Sequence, residues 1–349
     1  MKEYVGKMKI AALACSNGLG HSRRVIAIAS FMLKNGFNGR IDAYLPKKNL
    51  VAFENWPDYC FFKNHSNVKI FDFYYPIVSR KKTEMLYNKD WESIKLPKLK
   101  DYDVVWSDNI LQVLPLRPDS KITGSFLWHE VFEKNERGNG LKSFVLDQKE
   151  LLKKYNPQMA GSEYFATDQV KKNTQFFPVG LYKYSILLKE KKNKSILLSC
   201  GLGGEEELAA KNAVKYIIEK KIKPPQVLYI EPRLLPKKYP DWIKEATFTS
   251  EMFHDCVAVC IRPGMGTISD ALVYHSRIFA FSRDDSYEMI HNSKILSELG
   301  VGEKCKSPID AYLQSIEFAS NDDKIKKQYI RTAHLRTDGV FATSNFILK

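Results

Sequence analysis

The sequence lacks several features that would assign its 349 residues to a class at once. No run approaches the roughly 18 uncharged apolar residues of a membrane-spanning helix, so we expect no spanning segment. The six cysteines are scattered without a CxxC pair, which favours a reduced, cytoplasmic setting. The apolar stretch that follows the first lysines has no small-residue cleavage site, so it predicts a β-strand rather than a signal peptide.

Nucleic-acid-binding signatures and internal repeats are also missing, although the net charge is +14. The lysine pairs that produce this charge are spread along the chain, which is typical of solvated surfaces. A basic surface attracts anions, so phosphorylated substrates and an anionic membrane surface remain possible partners, and nucleic acid ranks last.

Short apolar runs alternate with helix-like stretches in two successive series, which predicts an α/β protein with two parallel sheets. The charged residues 189–194 separate the two series and suit an exposed linker. We therefore predict a Rossmann-like domain at 1–188, a linker at 189–194, a second Rossmann-like domain at 195–325, and a helical segment at 326–349 that packs back on the first domain. The two domains are expected to face each other across a cleft.

Three glycine-rich loops carry the functional signal. The first, with Gly18, Gly20 and His21, follows the first strand and opens a helix, where glycines let an anion approach free N–H groups. An arginine stands where a dinucleotide fingerprint has its third glycine, which disfavours NAD. The third loop precedes a helix with Asp270 one turn in, where a carboxylate can accept hydrogen bonds from ribose hydroxyls. A nucleotide-bearing ligand is therefore expected.

Residues 262–272, followed by 277–281 and 288–292, resemble the donor-binding region of GT-B glycosyltransferases. They are most similar to the MurG family, which adds N-acetylglucosamine to a lipid-linked muramyl pentapeptide. Four further motifs resemble that family and occur in the same order: the first glycine loop, the pair His129–Glu130, the turn at 176–180 and the second loop at 199–204. The resemblance thus extends over nearly the whole chain and implies the GT-B fold.

The resemblance also implies roles for individual residues. Asp270 would bind the ribose, where the family usually has glutamate. Contacts to the diphosphate would come from both C-terminal loops: Gly264, Gly266 and Thr267 on one side, and Ser199, Gly201 and Gly203 on the other. Glu288 and Asn292 would hold the donor sugar, although Glu288 and Met289 replace the glutamines of the family.

Transfer of a sugar to a hydroxyl needs a base for the acceptor proton and partners for the departing diphosphate. His21 is the first candidate for the base, because a loop projects it and imidazole titrates near neutral pH. Glu130, Asp108 and His129 follow. Arg262 and either Arg23 or Arg24 are candidate diphosphate partners.

Asp101-Tyr102-Asp103 matches the DxD motif of metal-dependent glycosyltransferases but lies at the start of its strand, so we predict no metal and no cofactor. The prediction is an inverting transfer from a UDP-sugar to a glycan or lipid-linked acceptor in cell-surface glycan synthesis. Aromatic and basic residues at 71–76 and 80–87 would face that acceptor or the inner face of a membrane. The alternatives are a nucleotide-sugar hydrolase, a 2-epimerase, or a non-catalytic nucleotide-sugar-binding protein.

Overall fold

The computed structural model describes residues 8–75, 95–134, 142–182, 193–201, 204–282 and 287–349. The chain divides into two compact units, Met1–Gly180 together with Asp338–Lys349, and Leu181–Thr337. Within the described ranges, no helix is long and apolar enough to cross a membrane.

The first unit contains a parallel sheet with the strand order β3-β2-β1-β4-β5-β6-β7. Its strands are β1 (Lys9–Ala14), β2 (Arg40–Leu45), β3 (Val68–Asp72), β4 (Val104–Asp108), β5 (Lys121–Thr123), β6 (Gln158–Ser162) and β7 (Gln175–Val179). Its described helices are α1 (Gly20–Lys34), α2 (Lys47–Leu50), α3 (Pro57–Asn64), α4 (Trp128–Lys134), α5 (Lys142–Tyr155), α6 (Asp168–Asn173) and, after the second unit, α13 (Gly339–Leu348).

Strand β1 is an inner strand of this sheet. Five of its six residues are fully buried, which is typical of a strand covered by helices on both faces. It pairs with β2 on one side and with β4 on the other. The strand order therefore reverses between β1 and β4, and the carboxyl ends of those two strands form the point where such sheets bind ligands.

The second unit repeats this arrangement with the order β10-β9-β8-β11-β12-β13. Its strands are β8 (Ser195–Ser199), β9 (Leu228–Ile230), β10 (Ile243–Glu245), β11 (Cys256–Ile261), β12 (Arg277–Phe281) and β13 (Gly302–Cys305). Its helices are α7 (Gly204–Glu219), α8 (Ser250–Asp255), α9 (Met265–Val273), α10 (Tyr287–Glu298), α11 (Pro308–Ala319) and α12 (Asp322–Ala333). Here the order reverses between β8 and β11, which are the strands that lead into the second and third glycine loops.

The predicted fold class is confirmed as two Rossmann-like halves, each with a parallel sheet. Most of the predicted linker, residues 189–192, lies outside the described residues, as does Gly203. The predicted start of the last segment, residue 326, falls inside α12 of the second unit, whereas α13 belongs to the first unit. Most of the aromatic and basic stretch, residues 76–87, is also outside the described ranges.

Candidate functional site

The first glycine loop is fixed on both sides by the protein. Ser16 donates its backbone N–H to the carbonyl of Tyr75 at 3.2 Å, and its hydroxyl accepts from the N–H of Tyr75 at 2.7 Å. The side-chain amide of Asn49 donates to the carbonyl of Gly18 at 2.8 Å. Gly18 has a φ of +78°, which glycine adopts without strain, so the loop turns sharply into α1 at Gly20.

This turn brings His21 to Asp108 across the point where the strand order reverses. Nδ1 of His21 lies 2.6 Å from Oδ1 of Asp108, the last residue of β4, and both side chains are buried. A carboxylate oxygen only accepts, so Nδ1 carries a hydrogen, and in the neutral form of the ring the lone pair is therefore on Nε2. Among the described residues, the polar partner of this ring is Asp108, which leaves Nε2 for another molecule. The pair has the arrangement of a general base and its orienting acid.

The second oxygen of Asp108 is held by two further side chains. Arg24 places Nε at 3.2 Å, and the hydroxyl of Thr123 donates at 2.7 Å. The indole N–H of Trp106 in turn donates to Thr123 at 3.0 Å. Asp108 is completely buried, so these partners compensate its desolvation and fix the direction of its bond to His21. Arg24, predicted as a diphosphate partner, is thus directed at Asp108, and Arg23 lies 5.3 Å from the ring of Trp56.

Aromatic side chains cover one flank of His21. The ring centroid of His21 is 6.3 Å from that of Phe126 and 6.2 Å from that of Trp128. Trp128 also stacks on Phe132 at 5.8 Å. These rings form an apolar wall beside the imidazole, and such a wall limits access of water to a proton-transfer site.

His129 and Glu130, the other predicted base candidates, follow Trp128 in α4. Burial lowers the pKa of His129 to about 4, so its ring is neutral at pH 7. Burial raises the pKa of Glu130 to about 7, against the opposing effect of its hydrogen bonds from Leu127 and Thr167. Glu130 accepts from the backbone N–H of Leu127 at 3.2 Å and from the hydroxyl of Thr167 at 2.9 Å. Its contacts therefore join α4 to the start of α6.

In the second unit, the second glycine loop folds around a carboxylate of its own chain. One oxygen of Glu231 accepts three hydrogen bonds, from the hydroxyl of Ser199 at 2.9 Å and from the N–H groups of Cys200 and Gly201 at 3.0 Å each. Ser199 and Gly201, predicted to line the diphosphate, thus already donate to an internal anion. Glu231 directly follows β9, the neighbour of β8, and is 6% exposed.

Arg233 completes this arrangement. Its Nε donates to the other oxygen of Glu231 at 2.8 Å, and its guanidinium also donates to the carbonyl of Gly201 at 2.6 Å. A third contact reaches Glu207 of α7 at 3.2 Å. Arg233 therefore balances the charge of Glu231 and ties the loop to the helix that follows it.

The third loop leads from β11 into α9 and carries the other predicted donor contacts. Gly264 is the N-cap of α9; it offers no side-chain cap, and the first turn of the helix, with Gly266 and Thr267, contains no acidic residue. A Cβ atom at Gly264 would meet nothing within 4 Å, so a ligand can approach the backbone. Arg262 lies 3.7 Å from Glu206. The helix N-terminus suits an anion such as a phosphate.

Around this loop, the side chains predicted for ribose and sugar differ in their surroundings. Asp270 lies in α9 and is 2% exposed. The amide of Asn292 donates to the carbonyl of Pro263 at 2.8 Å and thereby holds the third loop against α10. Glu288 is partly exposed in the first turn of α10, whereas Met289 is buried. Their roles in donor binding stay predictions.

The DxD-like motif lies where the sequence placed it, before β4. Asp103 accepts the backbone N–H of Lys9 at 2.7 Å and so fastens the start of β1. In the part of the chain that the structure describes, no group of three or more His, Cys, Asp and Glu side chains could hold a metal ion.

A further feature of the first unit is a set of buried side chains without hydrogen-bond partners among the described residues. Both polar atoms of the amides of Asn109, Gln112 and Gln148 are in this state, and so is the hydroxyl of Ser125. Such a group costs about 1–3 kcal/mol when nothing compensates it. We refer to Asn109, Gln112 and Gln148 as the amide set.

Glu231, Thr123 and the amide set were not identified from the sequence. A signal existed for Glu231, because it directly follows a predicted strand, as Asp108 does, and the carboxyl ends of parallel strands meet at one edge of the sheet. Glutamines and asparagines carry no comparable pattern, so only the tertiary structure reveals the amide set.

No protein-family model and no curated protein sequence matches the chain. Solved structures do match its fold. The glycotransferase of kitacinnamycin superposes with a TM-score of 0.63 at 12% identity, covering 98% of both chains. LpCGTa, crystallised with UDP, gives 0.62 at 11% identity, covering 98% of this chain and 99% of that one. UGT89C1 of Arabidopsis thaliana, crystallised with quercetin, gives 0.59 at 12% identity, covering 98% of this chain and 100% of that one. The chain therefore has the GT-B fold, and the finer resemblance to MurG is not confirmed.

Proposed function

We propose that the protein is a glycosyltransferase that moves a sugar from a nucleoside diphosphate, UDP in the first instance, to an acceptor hydroxyl. The observation that carries the proposal is the buried His21–Asp108 pair, with Nδ1 engaged at 2.6 Å and Nε2 left for a substrate. The GT-B fold supports the choice of reaction, and the structures of this fold crystallised with UDP support the choice of nucleotide.

In the proposed reaction, Nε2 of His21 removes the proton of the acceptor hydroxyl as its oxygen attacks the anomeric carbon. The bond between that carbon and the diphosphate oxygen breaks, and the nucleoside diphosphate leaves with the electron pair. Attack opposite the leaving group inverts the configuration. Asp108 stabilises the imidazolium that forms, while Arg24 and Thr123 keep the carboxylate in place.

The departing diphosphate carries the developing negative charge in this reaction. The N-terminus of α9, which has no capping side chain at Gly264, supplies first-turn backbone N–H groups and the positive end of the helix dipole. Because these groups are fixed before the reaction, they stabilise the leaving group without reorganisation. We expect transfer to continue in excess chelator, since this mechanism assigns no step to a metal.

The test is incubation of the purified protein with a panel of UDP-sugars, with and without acceptors that carry hydroxyl groups, followed by detection of UDP and of the sugar product. Transfer is expected to require the acceptor and to yield the inverted glycoside. Consumption of the donor without any acceptor would instead assign a hydrolase or an epimerase. Binding of UDP without turnover over the acceptor panel would favour a non-catalytic protein.

A further inference from the structure

Asn109 and Gln112 of the amide set follow β4, so they lie at the same edge of the first sheet as His21. Asn109 directly follows Asp108, and its side chain packs over Gly124, where a Cβ would approach it to 3.5 Å. Asn109 also has a φ of +62°, an uncommon backbone state that asparagine tolerates. Ser125 follows Gly124 and precedes Phe126, whose ring faces His21. Asn109 and Ser125 are therefore next in sequence to two residues, Asp108 and Phe126, that contact His21.

The two glutamines come from neighbouring elements of the same unit. Gln112 lies in the 3-10 turn Leu111–Val113, and Gln148 lies in α5, which packs against that turn. Gln112 is 8% exposed and Gln148 is 1% exposed. Each offers two N–H donors and a carbonyl acceptor. A ligand group that reached them would be enclosed by protein rather than held on its surface.

Gln328 in the second unit shows how this chain satisfies a glutamine that has only a structural role. It is also 1% exposed, but its amide nitrogen donates to the carbonyls of Ser276 and Val301, at 3.1 and 3.2 Å. Its amide oxygen accepts from Arg277. The amide set has none of these contacts within the described residues. Leucine at its positions would fill similar space without the penalty of an unpaired amide, and a bound polar ligand would supply the partners that the amides lack.

From this contrast we propose that the amide set binds the acceptor, and that the acceptor presents a hydroxyl-rich carbohydrate unit. The inference rests on the proposed function, because it supplies the acceptor for His21. Sugar hydroxyls both donate and accept, as amides do, so neighbouring amides can pair with vicinal hydroxyls. Phe126 and Trp128, which pack edge to face beside His21, add apolar surface to the polar amides, and such a mixture is typical of ligand sites. A planar polyphenol holds its hydroxyls in one plane, so we expect it to pair with fewer of the amide atoms than a pyranose does.

Binding of cellobiose, maltose and quercetin to the full-length protein saturated with UDP tests this inference. Saturation-transfer NMR reports contact without any turnover. We expect contact with at least one disaccharide, and we expect Gln112→Leu and Gln148→Leu to raise its half-saturating concentration tenfold or more while UDP affinity is unchanged. Gln328→Leu is the matched control, and it should lower stability without changing disaccharide affinity in the folded fraction.

Three results would overturn the inference: neither disaccharide binds, quercetin binds in their place, or the two leucine variants bind a disaccharide as the parent protein does. Melting temperatures for all variants separate loss of binding from loss of folding, since Gln112→Leu and Gln148→Leu should melt no lower than the parent. Failure of the proposed function would look different. UDP-sugars would then neither bind nor react, while disaccharide binding and its sensitivity to both glutamines persisted.

Discussion

Asp108 in the first unit and Glu231 in the second are buried carboxylates at the carboxyl edges of sheets with the same reversal of strand order. Asp108 ends the strand across the reversal from β1, and it accepts from the side chain of His21. Glu231 follows the strand on the other side of β8, and it accepts from the backbone of the glycine loop. One carboxylate thus orients a chemical group, whereas the other fixes a loop.

In this molecule, the role of each acid goes with its side of the reversal. Asp108, across the reversal from β1, meets a side chain of the helix that begins after the first glycine loop. Glu231, after the strand on the other side of β8, meets the second glycine loop itself and accepts from its N–H groups. We therefore expect changes at the first carboxylate site to alter the chemical step and changes at the second to alter donor binding.

His21→Ala removes the side chain that Asp108 orients, and it has the largest expected effect. Turnover should fall by about 10² to 10⁴-fold, because the general base acts in the transition state, while UDP affinity stays within about twofold. Turnover and calorimetric UDP binding are measured on the same preparation. His334→Ala, at an exposed position in the second unit, is the control. Turnover of His21→Ala within a few-fold of the parent would reject the base assignment.

Glu130→Gln tests a further buried acid of the first unit, which lies in α4 two residues after Trp128. Its folded pKa of about 7 lies above the ordinary value of 4.5, so its contribution to stability is complete below pH 4.5 and is lost as pH rises through 7. Glu130→Gln should therefore match the parent at pH 4 and exceed its free energy of unfolding by about 3 kcal/mol at pH 8.

Denaturant unfolding of parent and variant across this range measures that difference. The lowered pKa of His129 acts in the opposite direction, with stability lost as pH falls from 6.5 towards 4, but it is common to both proteins and cancels. Glu150→Gln, at an exposed position in α5, is the control. A constant difference between pH 4 and 8 would contradict the raised pKa of Glu130.

Glu231→Ala removes the carboxylate that fixes the second glycine loop. It removes the acceptor of three hydrogen bonds, so the loop should lose its fixed shape, with a loss of about 2 kcal/mol in unfolding free energy. The donor KM should rise about tenfold, while turnover at saturating donor stays within a few-fold of the parent. Glu245→Ala, at an exposed position on β10, is the control. A fall in turnover with an unchanged KM would show that both carboxylates serve the chemical step.

Gly264→Ala is the smallest perturbation and sharpens the view of the third loop as the donor-facing backbone. Its φ of −79° suits alanine and its Cβ meets no atom within 4 Å, so stability should change by less than about 0.5 kcal/mol. UDP-sugar affinity should nevertheless fall several-fold. At Gly302, by contrast, a Cβ would lie 2.6 Å from the carbonyl oxygen of Ile278, so Gly302→Ala should destabilise the unit. Unaltered donor affinity in Gly264→Ala would place the diphosphate elsewhere.

The sequence predicted the fold and the loops because both depend on local patterns. Apolar runs such as β1 and glycines such as Gly18 carry their structural meaning within a few residues. Because the first glycine loop directly follows β1, His21 was expected at the carboxyl edge of the first sheet. Asp108 was named as well, but as an alternative base, because only a three-dimensional structure shows that its oxygen lies 2.6 Å from Nδ1 of His21.

Features that depend on pairing between distant residues could not be predicted. Glu231 stands 30 residues beyond Gly201, and nothing in the intervening sequence specifies that its carboxylate meets that loop. Arg24 was expected as a candidate partner of the diphosphate, yet it lies against Asp108, which is 84 residues away. The amide set could not be predicted from the sequence for the same reason. Whether a buried amide has a hydrogen-bond partner depends on how the helices and strands pack.

The helix α13 makes the first unit discontinuous, and this has a consequence for biosynthesis. Phe341 packs edge-on against Phe31 of α1, Phe346 stacks on Phe177, and Asp338 accepts the backbone N–H of Gly180 at 3.0 Å. A ribosome therefore completes residues 181–337, the whole second unit, before it releases the piece that closes the first. The half that holds His21 starts first and is finished last, so a nascent chain would expose an incomplete first unit to chaperones and proteases throughout synthesis of the second.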